Sequence, residues 1–244
     1  MVRMIEELSL NAWPSLQTLM YDGWVIRFAK GYTKRANSVN PIYRPNIPVD
    51  DKIRFCENIY RDAGLPTVFK MTSGVFPPDL DKRLSDLGYY RDSHTSVQTF
   101  TMGGQNIAVK FPCHIEEKLT EEWLENYCRM NSVSVDKKEI LRQILLNIVP
   151  KRVFMTLKHE DVAVGCGMGV VQSGYVGLFD IVIDPRERNK GWGHELVANI
   201  LLWGKASGAE SAYLQVMLNN PPALRLYEKV GFREEYQYWY RVKP

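Results

Sequence analysis

The chain repeats its own punctuation, and a duplication constrains folding more than any composition does. Ser38-Val39-Asn40-Pro41 falls on Val182-Ile183-Asp184-Pro185 at an offset of 144, Arg44 falls on Arg188, and Gly64 on Gly208. At an offset of 143, Gly88-Tyr89 falls on Gly231-Phe232. Between these anchors both halves offer the same succession: a helical pattern closed by a glycine, a short strand, a second helical pattern and a final strand. In the first half these span 52–63, 67–71, 80–87 and 95–100. In the second, Leu196, Val197, Ile200, Leu201 and Trp203 share one helix face, and a strand at 212–217, a helix at 223–230 and a closing strand at 236–242 follow. Strand-like runs at 153–158, 162–171 and 175–183, separated by His159-Glu160-Asp161 and Gln172-Ser173-Gly174, read as an antiparallel meander before them. The expectation is an α/β fold with mixed sheets in two tandem units, 1–104 and 105–244. The boundary is set at Met102-Gly103-Gly104-Gln105, where two glycines interrupt the pattern.

Composition narrows the functional classes. With 45% apolar and 24% charged residues the chain has core material for both halves and is not a disordered segment. A net charge of +3 lacks the concentrated footprint of a dedicated nucleic-acid binder. Trp13, Tyr21, Trp24, Phe28 and Tyr32 do interleave with Arg27, Lys30, Lys34 and Arg35. Alternation across 24–28, however, reads better as a strand with a buried face than as a base-stacking surface, so no nucleic-acid partner is expected. Cys56, Cys113, Cys128 and Cys166 form no CxxC pair, which argues against a zinc site or disulfide framework and for a reducing cytoplasm. No stretch approaches 18 uncharged apolar residues, and the N-terminus lacks a signal-peptide run, so a soluble intracellular protein with no membrane partner is expected.

The chemistry concentrates after the 175–183 strand. A strand, a short loop with Arg188, Lys190, Gly191 and Gly193, and then a helix start together make an anion site, because unpaired N–H groups and the helix dipole point the same way. A pyrophosphate suits it. The loop is neither a Walker loop nor a GxGxxG dinucleotide fingerprint. The first copy reads Arg44-Pro45-Asn46-Ile47-Pro48-Val49, with no glycine and two prolines that remove N–H donors, so the front half is not expected to bind the same ligand.

At this point the sequence resembles the GNAT superfamily of N-acetyltransferases, whose loop reads Arg/Gln-x-x-Gly-x-Gly/Ala after a strand; here it is Arg188-x-x-Gly191-x-Gly193. The family's second motif, Asn-x-x-Ala-x-x-Leu-Tyr and then Gly-Phe, is matched by Asn220, Ala223, Leu226-Tyr227 and Gly231-Phe232. The close resemblance covers 153–242, with the front half as a degenerate copy. It implies an acyl-CoA N-acyltransferase fold, acetyl-CoA as acyl donor, no metal, and direct attack by a primary amine. The pyrophosphate would lie on Arg188, Asn189, Lys190, Gly191, Trp192, Gly193 and His194. Ile181, Val182 and Ile183 would line the pantetheine arm, Ile181 and Ile183 through their main chains. An amide of Ile183 or its neighbour would polarise the thioester carbonyl. Tyr227 would donate a proton to the departing thiolate, since a phenol is protonated at neutral pH; the competing reading is a tyrosine at the core edge. Asn220 is left between a cofactor contact and a helix cap, and His194 between phosphate and cap. Asp180 leads for general base, against a solvated or structural aspartate, and Glu195 reads as first-turn complementation of the helix dipole. With no GxSxG motif and Cys166 in a glycine-rich strand, no covalent nucleophile is expected. The acceptor amine and oligomeric state stay open, as does a non-catalytic acyl-CoA sensor.

Overall fold

The computed structural model describes all residues, 1–244. Its elements in chain order are α1 (Val2–Ala12), β1 (Gln17–Tyr21), β2 (Trp24–Phe28), β3 (Val39–Pro41), α2 (Val49–Asp62), β4 (Thr67–Thr72), α3 (Leu80–Asp86), β5 (Tyr90–Thr101) and β6 (His114–Glu116). They continue with α4 (Glu121–Met130), α5 (Val135–Leu146), β7 (Lys151–His159), β8 (Val162–Gln172), β9 (Tyr175–Ile183), α6 (Trp192–Ala206), β10 (Ser211–Met217), α7 (Pro221–Val230) and β11 (Arg233–Lys243). No helix is long and apolar enough to cross a membrane. Two compact units result: 1–96 with 217–219 and 235–244, and 97–216 with 220–234.

The duplication is visible in the elements themselves. Shifted by 144, α2 and β4 coincide with α6 and β10 to within a residue, and Gly64 and Gly208 both follow their helices at positive φ. In the first unit strands run β1-β2-β3-β4-β11; β3 and β4 are parallel at Val39↔Phe69, and the other pairs are antiparallel. In the second they run β10-β9-β8-β7-β6, with only β9 and β10 parallel. Residues 24–28 form a buried strand: Trp24 and Ile26 have no exposed surface, and the Arg27 guanidinium donates to the carbonyls of Arg35, Leu10 and Trp13. The aromatic and basic interleaving there is core construction.

The final strand departs from expectation. The sequence reading lets 236–242 close the second half; instead β11 pairs antiparallel with β4 from Thr67↔Lys243 to Thr72↔Tyr238 and completes the first unit, while 97–104 belong to the second. Side chains explain the partner. Asp81 accepts from Trp239 Nε1 at 2.7 Å and from Arg241 Nε and Nη2 at 2.8 Å each, and Tyr236 donates to Glu6 Oε1 at 2.6 Å. Glu6 in turn pairs with Lys70 of β4 at 2.6 Å, both side chains buried. No local pattern in 236–242 carries this information, because Asp81 lies about 160 residues away along the chain.

The hydrogen bond from Arg241, and after it that from Trp239, hold the Asp81 carboxyl at about 2. A carboxyl depressed in the folded state contributes stability that is complete above its unfolded value near 3.9 and is lost as pH falls through the folded one. Asp81→Asn is therefore expected to lower Tm at neutral pH and to flatten the loss of Tm between about pH 4 and 2. Calorimetric melts across that range check it; parallel acid profiles for both proteins would reject it.

Candidate functional site

Two irregularities on β9 build the site. Cys166 pairs with Val182 and Met168 with Phe179, which leaves Asp180 and Ile181 together opposite Gly167, a β-bulge. Asp180 takes φ +52°, a left-handed conformation that aspartate tolerates better than most residues. Because side chains alternate along a strand, one extra residue changes faces. Val176 and Leu178 belong to the core beside Leu196 and Ile200 of α6, and beyond the bulge it is Ile181 and Ile183 that pack against that same cluster. Strict alternation would have sent those two isoleucines to the opposite face. The parallel pairing with β10 runs from Ser211↔Tyr175 to Leu214↔Leu178 and stops there, so from Phe179 onward β9 exchanges no ladder bonds with β10. The strands part where the bulge begins, and the ladder between them ends there.

The loop after β9 is anchored before it reaches the helix. Asp184, buried, accepts from Arg186 N at 3.0 Å, Arg186 Nη2 at 2.9 Å and Arg129 Nη1 of α4 at 2.6 Å. These bonds, the Arg186 side chain first, hold its carboxyl well below the usual carboxylate range. Asp184→Ala would remove the acceptor shared by Arg186 N and the Arg186 and Arg129 guanidinium groups, which solvent can reach, at an expected cost on the order of 1 kcal/mol. A shift in the denaturant midpoint with unchanged slope measures it, and no shift would discard the anchor.

Beyond this anchor Asn189 turns at φ +64°, and Gly191 at φ +89° forms the N-cap of α6 with no side chain to satisfy the helix. The N–H groups of Trp192 and Gly193 at the start of α6 consequently have neither an intrahelical carbonyl nor a cap oxygen, whereas His194 N and Glu195 N donate to Gly191 O at 3.0 and 3.3 Å. Gly193 allows close helix packing, since a Cβ there would lie 3.1 Å from Leu226 Cδ2 of α7. Of the two basic residues, Lys190 is paired with Glu187 at 3.0 Å, whereas Arg188 is exposed and carries the loop's positive charge outward. His194 is half-exposed, 4.0 Å from Glu195. The Trp192 side chain is buried, its ring against Phe111 and His159, and its Nε1 donates back to Glu187 Oε2 of the loop at 3.4 Å.

Glu195 does more than complement a dipole. Its Oε2 accepts from Lys110 N at 2.9 Å and Phe111 N at 3.2 Å, and Asn199, one turn on, accepts from Cys113 N and donates to Phe111 O. One polar face of α6 thus pins 110–113. Sequence reasoning missed this clasp and the Arg129 anchor; a Glu-x-x-x-Asn pair on an otherwise apolar helix was the available signal for the first.

On α7, Asn220 Oδ1 accepts from Ala223 N at 3.3 Å and caps the helix. Tyr227 lies in the core cluster at 7% exposure, edge-on to Phe232 with ring centroids 5.9 Å apart, while Leu226 and Val230 pack against the same cluster. Burial alone pushes its phenol up to about 12. Tyr227 therefore stays protonated across the whole physiological range, as a proton donor must. Cys166 is buried with its thiol pushed to about 12 by desolvation, an environment that disfavours the thiolate a nucleophile needs.

These features fit a thioester of coenzyme A. A strand edge that has left its ladder suits an extended amide-bearing arm, and helix-start N–H groups beside an exposed cation suit a pyrophosphate; β9 from Phe179 and the loop to Gly193 offer the two in succession. Residues 1–241 match the family described as "Probable histone acetyltransferase Rv0428c C-terminal". A curated relative, the uncharacterized N-acetyltransferase YobR of Bacillus subtilis (strain 168), is 29% identical over 99% of this chain and 98% of its own length. A GCN5-related N-acetyltransferase from Kribbella flavida superposes with a TM-score of 0.75 at 13% identity, covering 99% of this chain and 95% of that one. A tandem GNAT protein from the clavulanic acid biosynthesis pathway superposes with a TM-score of 0.65 at 10% identity, covering 98% and 88%.

Proposed function

The chain belongs to the GNAT N-acetyltransferases, in the family named by that match, and from this premise we propose that the unit of 97–216 and 220–234 moves an acetyl group from acetyl-CoA to a primary amine. One observation carries the reading: the end of pairing with β10 at Leu178, the bulge at Asp180 and the helix cap at Gly191 follow each other within fourteen residues, 178–191. The backbone of Asn189, Lys190, Gly191, Trp192, Gly193 and His194, with the Arg188 guanidinium, is assigned to the pyrophosphate. The main chains of Ile181, Val182 and Ile183 are assigned to the pantetheine arm, and Ala223 to the wall beside it.

Acetyl-CoA supplies an activated acyl carbon. The amine nitrogen bonds to that carbon, the carbon–sulfur bond breaks, and the sulfur takes the Tyr227 proton. Asp180, on the bulge and half-buried, receives the proton lost by the amine, directly or through water. An amide of the freed β9 edge stabilises the charge that develops on the carbonyl oxygen. Asn220 serves this site by capping α7 and so fixing Tyr227, seven residues on.

Calorimetric titration with acetyl-CoA, then addition of mixed amines and lysine peptides with thiol detection, tests the reading. Binding followed by amine-dependent thiol release is the expected result. Binding with no release from any amine or peptide would overturn the transfer step, and no binding would overturn the site.

A further inference from the structure

Asp22 does in the first unit what nothing does in the second. It sits with Gly23 in the tight turn between β1 and β2, at φ +42° and +81°. Only glycine fits beside it, because a Cβ on residue 23 would lie 2.8 Å from Tyr43 O and 2.9 Å from Arg44 O. The turn is tied there by Tyr43 N donating to Gly23 O at 3.0 Å. It thereby delivers a carboxylate to the loop before α2. Asp22 Oδ2 accepts from Asn46 N at 2.8 Å and Ile47 N at 2.9 Å, and Oδ1 accepts from Asn46 N at 3.0 Å and Asn46 Nδ2 at 3.1 Å. The Lys52 ammonium, with no exposed side-chain surface and 4.2 Å above the Trp24 ring, completes the set at 3.2 Å from Oδ2.

At the repeat offset of 144, Asn46 and Ile47 align with Lys190 and Gly191. Pro45 and Pro48 flank them without N–H groups, so the carboxylate takes the two amide donors left in 45–48. The Ile47 amide heads the causes that hold Asp22 at about 2, which is how a bound anion behaves. A second anion would meet further repulsion, for the first turn of α2 carries Asp50 and Asp51.

Resting on the reading of the second unit as the acyl-CoA site, we infer that the corresponding loop of the first unit is an anion site filled by the chain's own Asp22 carboxylate, so that each chain holds one acyl-CoA. The degenerate copy has kept the physics of anion capture and turned it inward, as a clasp between the β1–β2 turn and the start of α2.

Two measurements test this independently. Asp22→Ala leaves the Asn46 and Ile47 amides and Lys52 without their anion, and its Tm is expected to fall and then recover on titration with inorganic phosphate or pyrophosphate. The recovery should exceed any rise in the wild type and in the neutral near-isostere Asp22→Asn, which keeps an acceptor oxygen in place. Equal rises in all three would overturn the anion-site assignment, whether or not the protein binds acetyl-CoA. Should Asp22→Ala not fold, the Asp22→Asn melt decides: a Tm equal to wild type would overturn it. Stoichiometry is the second test: one acetyl-CoA per wild-type chain is expected, and the same single site with weakened affinity after Gly191→Val. Two sites in the wild type would overturn the single-site inference; absence of binding to the wild type would overturn the functional reading instead, and the phosphate titration would still decide the role of Asp22.

Discussion

Tyr227→Phe is expected to lower kcat by about 10²- to 10⁴-fold, the usual contribution of a positioned general acid, while the Kd for acetyl-CoA changes less than about 2-fold. The split between kcat and Kd follows from where the hydroxyl acts. The ring is held in the core against Phe232 and stays there in the variant, so packing and ligand binding survive while the proton is lost. Burial raises the phenol to about 12, so its proton is retained as pH rises through the range where an amine acceptor becomes neutral. The sign matters: a group raised in the folded state keeps its protonated form, and any stability linked to it, up to the unfolded value near 10, and loses them only as pH climbs through the folded one. The wild-type kcat should thus rise with pH as the amine deprotonates and show no alkaline fall from Tyr227 below about pH 11. Measuring kcat and Kd of both proteins from pH 6 to 10 settles it, and equal kcat values would assign the proton to water and leave Tyr227 as a core residue.

Much of the fold was legible because it was written twice. A helix, a strand, a helix and their glycine stops recur at offsets of 143 and 144, and a pattern that repeats in order is hard to produce by chance. The turn into α6 was legible for a different reason: Gly191 at φ +89° occupies a conformation that glycine adopts more readily than any other residue, so backbone demand and spelling coincide. The bulge was not. Nothing in Phe179-Asp180-Ile181 marks an extra residue, and a sequence alone does not say which face of the strand Asp180 takes. The inserted residue shows itself only when β8 is laid alongside and Gly167 faces two partners. Long-range polar ties were equally silent. Arg129 to Asp184, Glu195 to the amides of 110–111, and Arg241 to Asp81 join residues between 55 and 160 positions apart, and each looks like ordinary surface charge in its own neighbourhood. The destination of β11 depends on the last of these, which is why the closing strand was assigned to the wrong half.

Gly191→Val separates the two ways a glycine can matter. A Cβ at this position meets nothing within 4 Å, so the variant introduces no collision. What it opposes is the backbone: at φ +89° a β-branched residue is a true outlier, and holding it there costs about 1–3 kcal/mol. The loop has an escape, which is to relax that φ and turn the first N–H groups of α6 away from their common focus. Affinity for acetyl-CoA is therefore expected to fall by about 5- to 150-fold, the equivalent of that strain, with a much smaller change in Tm because the relaxed loop remains exposed. Gly191→Asn is the matching control, since asparagine visits left-handed conformations far more readily and should keep most of the affinity. Gly193 answers to the other constraint: its Cβ would approach the mobile end of Leu226 at 3.1 Å, so Gly193→Ala should bind nearly as wild type, whereas a larger side chain would push α6 from α7. Titration of the three variants with acetyl-CoA compares the terms directly. If Val, Asn and Ala all bound alike, backbone conformation at the helix start would not be what presents the amides, and the anion would have to be held by Arg188 alone.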